Sequence, residues 1–243
     1  MSHGTTPAGV RPGDEAAAAR YVRQMFARVA PRYDLLNHLL SFQVDRYWRR
    51  FTVARVGRVL DRPDARVLDL CCGTGDLLAA LHRAHGRPVY GADFCHPMLE
   101  AARVKLGAGA RLLEADALAL PLSDASFDLI TIAFGLRNLA NYQNGLAEMY
   151  RLLRPGGLLA VLEFSQPRGR LLGPLYSFYF RHVLPRLGDA ISGAGHAYRY
   201  LQQSVEKFFG PAELAACLRE TGFRDVQFWP LTGGIAVLHV AEK

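Results

Sequence analysis

Short apolar runs bounded by turn residues recur along the middle of the chain, at Arg66 to Leu70, Pro88 to Ala92, Arg111 to Ala115, Phe127 to Phe134 and Leu158 to Phe164. The segments between them are long enough for helices, and this rhythm predicts βαβ units with a parallel sheet. Leu77 to Ala84, Pro97 to Leu106 and Asn144 to Leu153 read as crossover helices, with Pro97 at a first helical position and Pro155-Gly156-Gly157 ending the third. A further helix at Pro211 to Thr221 precedes two runs, Asp225 to Trp229 and Ile235 to Ala241, joined by Pro230 to Gly234. A closing hairpin there puts one antiparallel strand into an otherwise parallel sheet. The expected fold is α/β, Rossmann-like, with a seven-stranded and mostly parallel sheet.

Two segments fall outside the rhythm. Residues 20 to 60 form a basic helical region containing aromatic residues, and residues 167 to 205 form an insertion after the fifth strand. Ligands bind beyond the carboxyl ends of the strands in open α/β sheets, so both additions are placed to cap a site. The insertion carries Leu171-Leu172-Gly173-Pro174-Leu175-Tyr176-Ser177-Phe178-Tyr179-Phe180, too short to span a bilayer and too apolar for an exposed loop. It reads as a pocket lining, a lipid-facing element or a piece of ordinary core. Residues 1 to 19, rich in Gly, Pro, Thr and Ala at the outset, read as a disordered tail before a single domain over residues 20 to 243.

The chemistry concentrates where Val67-Leu68-Asp69-Leu70 runs into Cys71-Cys72-Gly73-Thr74-Gly75-Asp76, with Asp93 ending the next run. Gly73 and Gly75 allow backbone to approach a ligand, and an acid at the tip of the neighbouring strand can accept both hydroxyls of a ribose. A dinucleotide site would need a third glycine where Leu78 stands, and Asp76 would repel phosphate at the helix start. A nucleoside cofactor without phosphate fits better. S-adenosylmethionine (SAM), cationic at sulfur, suits a site carrying Asp69, Asp76 and Asp93. The alternative is an ordinary strand-to-helix turn.

Of the 243 residues half are hydrophobic, which excludes a mainly disordered chain. No stretch reads as a signal peptide or a membrane span, so a cytoplasmic protein is expected, at most peripheral at the inner membrane surface. The four cysteines, Cys71, Cys72, Cys95 and Cys217, match neither a metal-ligand pattern nor a disulfide framework, and no metal is expected. Cys71 and Cys72 read as small, buried, reduced residues. The net charge of +7 is uneven: residues 63 to 166 carry 9 basic and 11 acidic side chains, residues 1 to 62 carry 11 and 5, and residues 167 to 243 carry 9 and 6. Basic flanks around an acidic centre can meet nucleic acid, an anionic membrane or solvent.

With these features assembled, the chain resembles the menaquinone and ubiquinone C-methyltransferase family (UbiE/MenG) from Val22 to Lys243. The resemblance rests on Phe26 to Asn37 with its Tyr33-Asp34-Leu35-Leu36-Asn37, Leu68 to Asp76, Ala92-Asp93, Ala115-Asp116-Ala117 with Leu120-Pro121, and Phe127-Asp128. Phe134-Gly135-Leu136-Arg137-Asn138, Arg154-Pro155-Gly156-Gly157, Leu162-Glu163-Phe164-Ser165 and Tyr198-Arg199-Tyr200-Leu201 complete it. It implies the class I SAM-dependent methyltransferase fold. It places cofactor contacts on Thr74 in the turn, Asp93 at the ribose, and Asp116 and Ala117 at the adenine edge, beside Asp69, Gly73 and Gly75. The chain departs from the family at Ala133, where relatives often have Ser, at Gln202, and at Phe209-Gly210-Pro211.

The implied reaction moves a methyl group to a ring carbon of a polyprenyl quinol, demethylmenaquinol becoming menaquinol. Deprotonating the phenol makes the ortho carbon nucleophilic, so the enzyme must favour the phenolate. Arg137 and Asn138, just beyond the fourth strand, are the expected catalytic residues holding the quinol oxygen. Proton acceptors include water polarised by Arg137, Asp34, Tyr198 and His196; a structural ion pair is the other role open to Arg137. The ubiquinone-branch reaction on 2-polyprenyl-6-methoxy-benzoquinol, both reactions together, or another small-molecule SAM methyltransferase remain open. An RNA methyltransferase is disfavoured, because strand four ends Ile132-Ala133-Phe134-Gly135 with no Pro-Pro-aromatic grip, and no nucleic acid partner is expected. A non-catalytic binding protein is the reading from another class. The polyprenyl tail and basic flanks together suggest contact with anionic lipid.

Overall fold

The computed structural model describes residues 4–5, 7, 9–11, 13–35, 41–167, 179 and 195–243. Among these, strands β1 (Val67–Leu70), β2 (Val89–Asp93), β3 (Ala110–Glu114), β4 (Phe127–Ala133), β5 (Leu153–Phe164), β6 (Arg224–Leu231) and β7 (Ala236–Glu242) form one sheet in the order 3-2-1-4-5-7-6. The first five are mutually parallel, and β7 runs antiparallel to both β5 and β6. Pro230 lies in β6, at the sheet edge, where a missing N–H costs no interior ladder bond.

Alternation along the central strands assigns each side chain to a layer. Leu70, Ile130, Ile132 and Val161 pack against α5 (Tyr142–Leu152) and α7 (Pro211–Thr221) through Leu146, Met149, Leu214 and Leu218. Leu129, Ala160 and Leu162 face the other way, onto α2 (Val44–Arg55) and α3 (Asp76–His85) through Trp48, Leu77, Leu78 and Leu81. Each wholly buried Leu or Ile contributes on the order of 2 kcal/mol, and strands buried on both faces explain the near-continuous apolar runs in the sequence. α4 (His96–Leu106) crosses from β2 to β3, α1 (Glu15–Val29) lies N-terminal to the sheet, and α6 (Gly195–Lys207) precedes α7.

Two expected boundaries shift. The tail expected through residue 19 is shorter, since α1 starts at Glu15. Asp14 caps it by accepting from the Ala17 N–H at 2.9 Å, the following alanines favour helix, and Ala18 is buried. Likewise Pro155-Gly156-Gly157 does not end a helix in a separate turn: α5 stops at Leu152 and these residues lie within β5, where Gly156 has φ of 77°. The register between β4 and β5 shifts there, which absorbs the extra residues. Nearly all of the apolar insertion from Leu171 to Phe180, and Asn37, lie outside the described residues, as do the side chains of His196 and Tyr198.

Candidate active site

Strand order reverses between β1 and β4, and a cavity opens at that switch point beyond their carboxyl ends. Its floor comes from strand tips: Leu70, Cys71 and Gly73 after β1, Asp93 and Phe94 after β2, Ala115 to Leu118 after β3, and Ala133 to Gly135 after β4. Val22 and Phe26 of α1, with Tyr33, cover it, and Asn138, Leu139 and Ala140 close the far end. Of the basic region before the first strand, these three residues line the cavity.

Asp93 is buried at the cavity wall. Its Oδ2 accepts from the Gly73 N–H and its Oδ1 from the Cys95 N–H, both at 2.9 Å. Burial raises its pKa, opposed by these backbone donors. A carboxylate has more acceptor sites than these two bonds use, so one held rigidly at this point can still accept from a ligand hydroxyl. Asp116 is exposed beside buried Ala117; its Oδ1 accepts from the Leu118 N–H at 2.9 Å, and its other oxygen makes no hydrogen bond among the described residues. A buried acid for a ribose, a free carboxylate oxygen for an exocyclic amine and apolar walls between them match the donor and acceptor set of an adenosine. The residues present fit SAM on that ground.

Other expected contacts lie elsewhere. Asp69 does not line the cavity: it belongs to the face of β1 turned toward α2 and α3, where its Oδ1 accepts from the Thr131 hydroxyl at 2.5 Å across the β1–β4 register. Burial raises its pKa to about 7, partly offset by Thr131 and the charge of Arg49. Thr74 is buried behind the turn, and its hydroxyl donates to Asp34. Gly75 has a backbone role: it starts α3 at φ 84°, and a Cβ there would lie 2.7 Å from Leu106 Cδ1. Asp76 does not face a ligand with bare charge, since Lys105 lies 2.6 Å and Arg49 3.6 Å from it. Lys105 also holds Asp34 at 2.8 Å, so Asp34 is engaged by two partners as a clasp between the N-terminal region and the turn.

The larger correction concerns Arg137. Its guanidinium is buried, with Nη1 2.9 and 3.1 Å from the two carboxylate oxygens of Glu163 and 2.5 Å from the Phe134 carbonyl, and it is not among the residues lining the cavity. Burial raises the Glu163 pKa, and Arg137 opposes that rise. The direct contact with a quinol oxygen expected of Arg137 is thereby replaced by a structural ion pair. Asn138 does line the cavity: its Nδ2 donates to the Phe134 carbonyl at 3.0 Å and its Oδ1 accepts from the Tyr200 hydroxyl at 3.1 Å.

Sequence reasoning missed Tyr200, which it quoted only as part of a motif, and the partner role of Glu163. An acid inside the otherwise apolar run of β5 was the available signal, because a buried charge demands a counter-charge. Cys71 is half-buried at the cavity rather than fully buried, and Cys72 is buried as expected. Burial pushes both thiols well above their ordinary range, with the nearby aspartates adding to it, so both stay protonated. Among the described residues no cluster of His, Cys, Asp and Glu could hold a metal ion.

Known proteins share the fold of this chain and, in part, its sequence. A crystal structure of a SAM-dependent methyltransferase from Thermotoga maritima, described as a possible histamine N-methyltransferase, superposes with a TM-score of 0.59, covering 90% of this chain and 99% of that one at 21% identity; this shows the fold alone. The demethylmenaquinone methyltransferase of Thermus thermophilus is 51% identical, covering 90% of this chain and all of its own. That of Deinococcus radiodurans is 48% identical over 95% of this chain and 96% of its own, and the ubiquinone/menaquinone biosynthesis C-methyltransferase UbiE of Syntrophotalea carbinolica is 46% identical over 94% of both. The model of the ubiE/COQ5 methyltransferase family matches residues 14–243, which with the cavity at the switch point leads to one conclusion: the chain belongs to that family of SAM-dependent methyltransferases.

Proposed function

We propose that the chain methylates a ring carbon of a polyprenyl naphthoquinol, converting demethylmenaquinol to menaquinol with SAM as methyl donor. The observation that carries this reading is one cavity with acidic residues at the strand tips, Asn138 at the far end, and apolar and aromatic walls between. The names of the Thermus and Deinococcus relatives supply the acceptor class.

When bound, SAM would supply a methyl group already activated for transfer and leave as S-adenosylhomocysteine, while the chain binds and orients the two partners, shields the reacting atoms and favours loss of the quinol proton to water. Asp93 would hold the ribose hydroxyls, and Asp116 with the Ala117 N–H the adenine edge. Val22, Phe26, Met98 and Leu139 present apolar surface that keeps water from the reacting atoms and accommodates a flat ring. Asn138 presents an amide donor to the quinol oxygen, favouring the phenolate that makes the ortho carbon nucleophilic. Arg137 acts from beneath, through the Phe134 carbonyl that it shares with Asn138.

The substrate tail favours peripheral contact with an anionic membrane, from the cytoplasmic side. Leu35 is 61%, Phe42 75% and Tyr47 53% exposed, and exposed Arg46 and Arg50 lie one turn apart on α2. Among the described residues no helix is long and apolar enough to cross a membrane.

The test is incubation with labelled SAM and chemically reduced short-chain demethylmenaquinone, with mass spectrometry locating the methyl group. A methyl at the vacant quinol ring carbon is expected; SAM binding without methylation of any quinol would overturn the reading. The relatives named for both ubiquinone and menaquinone biosynthesis favour a second acceptor, the methoxy-benzoquinol, run in parallel.

A further inference from the structure

Three segments far apart in sequence meet at one buried hydroxyl. Tyr200, on α6, is 5% exposed, and its hydroxyl lies 3.1 Å from the Thr5 hydroxyl and 3.1 Å from Asn138 Oδ1. A phenol has one proton to give. With that proton on Asn138 Oδ1, the Thr5 hydroxyl must donate to the phenol oxygen, and the direction of the chain runs Thr5 to Tyr200 to Asn138.

The same arrangement settles the Asn138 carboxamide. Its oxygen takes the Tyr200 proton and its nitrogen gives one N–H to the Phe134 carbonyl at 3.0 Å, so the amide cannot rotate without losing both bonds. One N–H of this cavity-lining group is left over, and no described residue accepts it. The N-terminal segment also grips the neighbouring backbone. The Thr5 N–H donates to the Leu139 carbonyl at 2.9 Å, and a Cβ on Gly4 would lie 1.7 Å from the Ala140 carbonyl oxygen. Residues 4 and 5 therefore lie against Leu139 and Ala140, which themselves line the cavity.

The geometry points to Tyr200 as a positioning residue for methyl transfer, acting through Asn138: its hydroxyl, itself held by Thr5, fixes the carboxamide so that the spare N–H is offered to the oxygen of the acceptor ring. This deepens, and rests on, the quinol methylation proposed above. Burial raises the Tyr200 pKa to about 12, which keeps the phenol a donor across the working range. A fixed donor aimed at a developing phenolate is worth more than one that must reorient as charge forms, and loss of one such donor typically costs about a hundredfold or more in turnover.

The experiment is a double-mutant cycle in steady-state turnover of reduced short-chain demethylmenaquinone by the full chain, with SAM affinity measured by calorimetry. Tyr200→Phe removes one oxygen and keeps the ring. It is expected to lower kcat on the order of tenfold to a hundredfold with SAM affinity unchanged within about twofold. Asn138→Ala should lower kcat at least as far, and Tyr200→Phe added to Asn138→Ala should lower it no further, because the tyrosine has nothing left to orient. Thr5→Val should give a smaller loss of the same kind. Losses that multiply in the double variant, or Tyr200→Phe turning over like the parent, would overturn the role of Tyr200 while leaving quinol methylation intact. A parent chain that binds SAM and methylates no quinol would remove both.

Discussion

Arg137 and Glu163 form a buried ion pair at the base of the β4–β5 edge of the site, one guanidinium nitrogen lying 2.9 and 3.1 Å from the two carboxylate oxygens. Their side chains are 6% and 2% exposed, so neither charge has water to fall back on. Removing one partner strands the other, which typically costs about 3–5 kcal/mol. Arg137→Ala and Glu163→Ala are each expected to lower the unfolding free energy, read from urea denaturation, by that order. Arg137→Met combined with Glu163→Leu should recover much of the stability, because both charges leave together. Methyl transfer by Arg137→Ala should also collapse, since the guanidinium helps hold the Phe134 carbonyl that anchors Asn138, whereas SAM affinity should stay nearly unchanged. Retained turnover in this variant would remove Arg137 from the mechanism.

Asp93 ties the cofactor end together, accepting from the N–H groups of Gly73 and Cys95 through different oxygens. Asp93→Asn replaces one acceptor by an NH2 group that must face a backbone N–H, so one bond becomes a repulsion at a buried position. SAM affinity measured by calorimetry is expected to fall roughly tenfold to a hundredfold, in keeping with loss of a charged hydrogen-bond acceptor. Unchanged affinity would show that the ribose is held elsewhere.

What the sequence discloses and what it hides follows from the range of the interaction. The position of Asp93 was legible because the end of an apolar run and the neighbouring glycine turn fix it locally, at the tip of β2 beside Gly73. The reversal of β7 was legible for the same reason, through Pro230 to Gly234 between two apolar runs. The direction of Arg137 was not, because it depends on Phe134 taking a positive φ of 57° and on Glu163, which lies 26 residues away on another strand. Asp69 was misassigned by half a strand period: residues 69 and 70 share a strand but face opposite layers, and only the Thr131 register shows which faces the cavity. Thr74, Asp34 and Lys105 meet from three segments, so no local pattern announces their clasp.

His239 on β7 gives the protein a specific acid sensitivity. The ring is 2% exposed, its Nε2 donates to the Pro211 carbonyl at 2.9 Å, and Nδ1 has no partner. Protonating Nδ1 would bury an unmatched charge, and burial lowers the pKa to about 4 from 6.5, with the Pro211 carbonyl opposing that fall. In the unfolded chain the imidazole binds its proton first, so stability is unaffected above pH 6.5 and is lost as pH falls from 6.5 through 4. The loss is of order 3 kcal/mol at its limit. His239→Gln can still donate to Pro211 and does not titrate. Its stability, followed by urea denaturation from pH 7 to pH 4, should show a shallower acid limb than the parent; parallel limbs would exclude this histidine as a source of the sensitivity.

Exposed apolar side chains next to exposed arginines make the N-terminal face the region to test for lipid contact. Phe42 and Leu35 are exposed, Phe42 packs against Tyr179 with ring centroids 6.0 Å apart, and Arg46 and Arg50 follow on α2. An aromatic inserted at the headgroup level supplies apolar area, and each arginine near an anionic surface adds about 1 kcal/mol that salt screens. The two contributions separate experimentally. Flotation with vesicles containing anionic lipid at low salt should carry the parent chain upward, and raising salt should weaken it. Arg46→Gln with Arg50→Gln should remove the salt-dependent part, and Phe42→Ser should weaken binding at every salt concentration. Equal partitioning onto neutral and anionic vesicles at low salt would rule out electrostatic docking, and a Phe42→Ser chain that floats like the parent would place the apolar contact on another part of the surface.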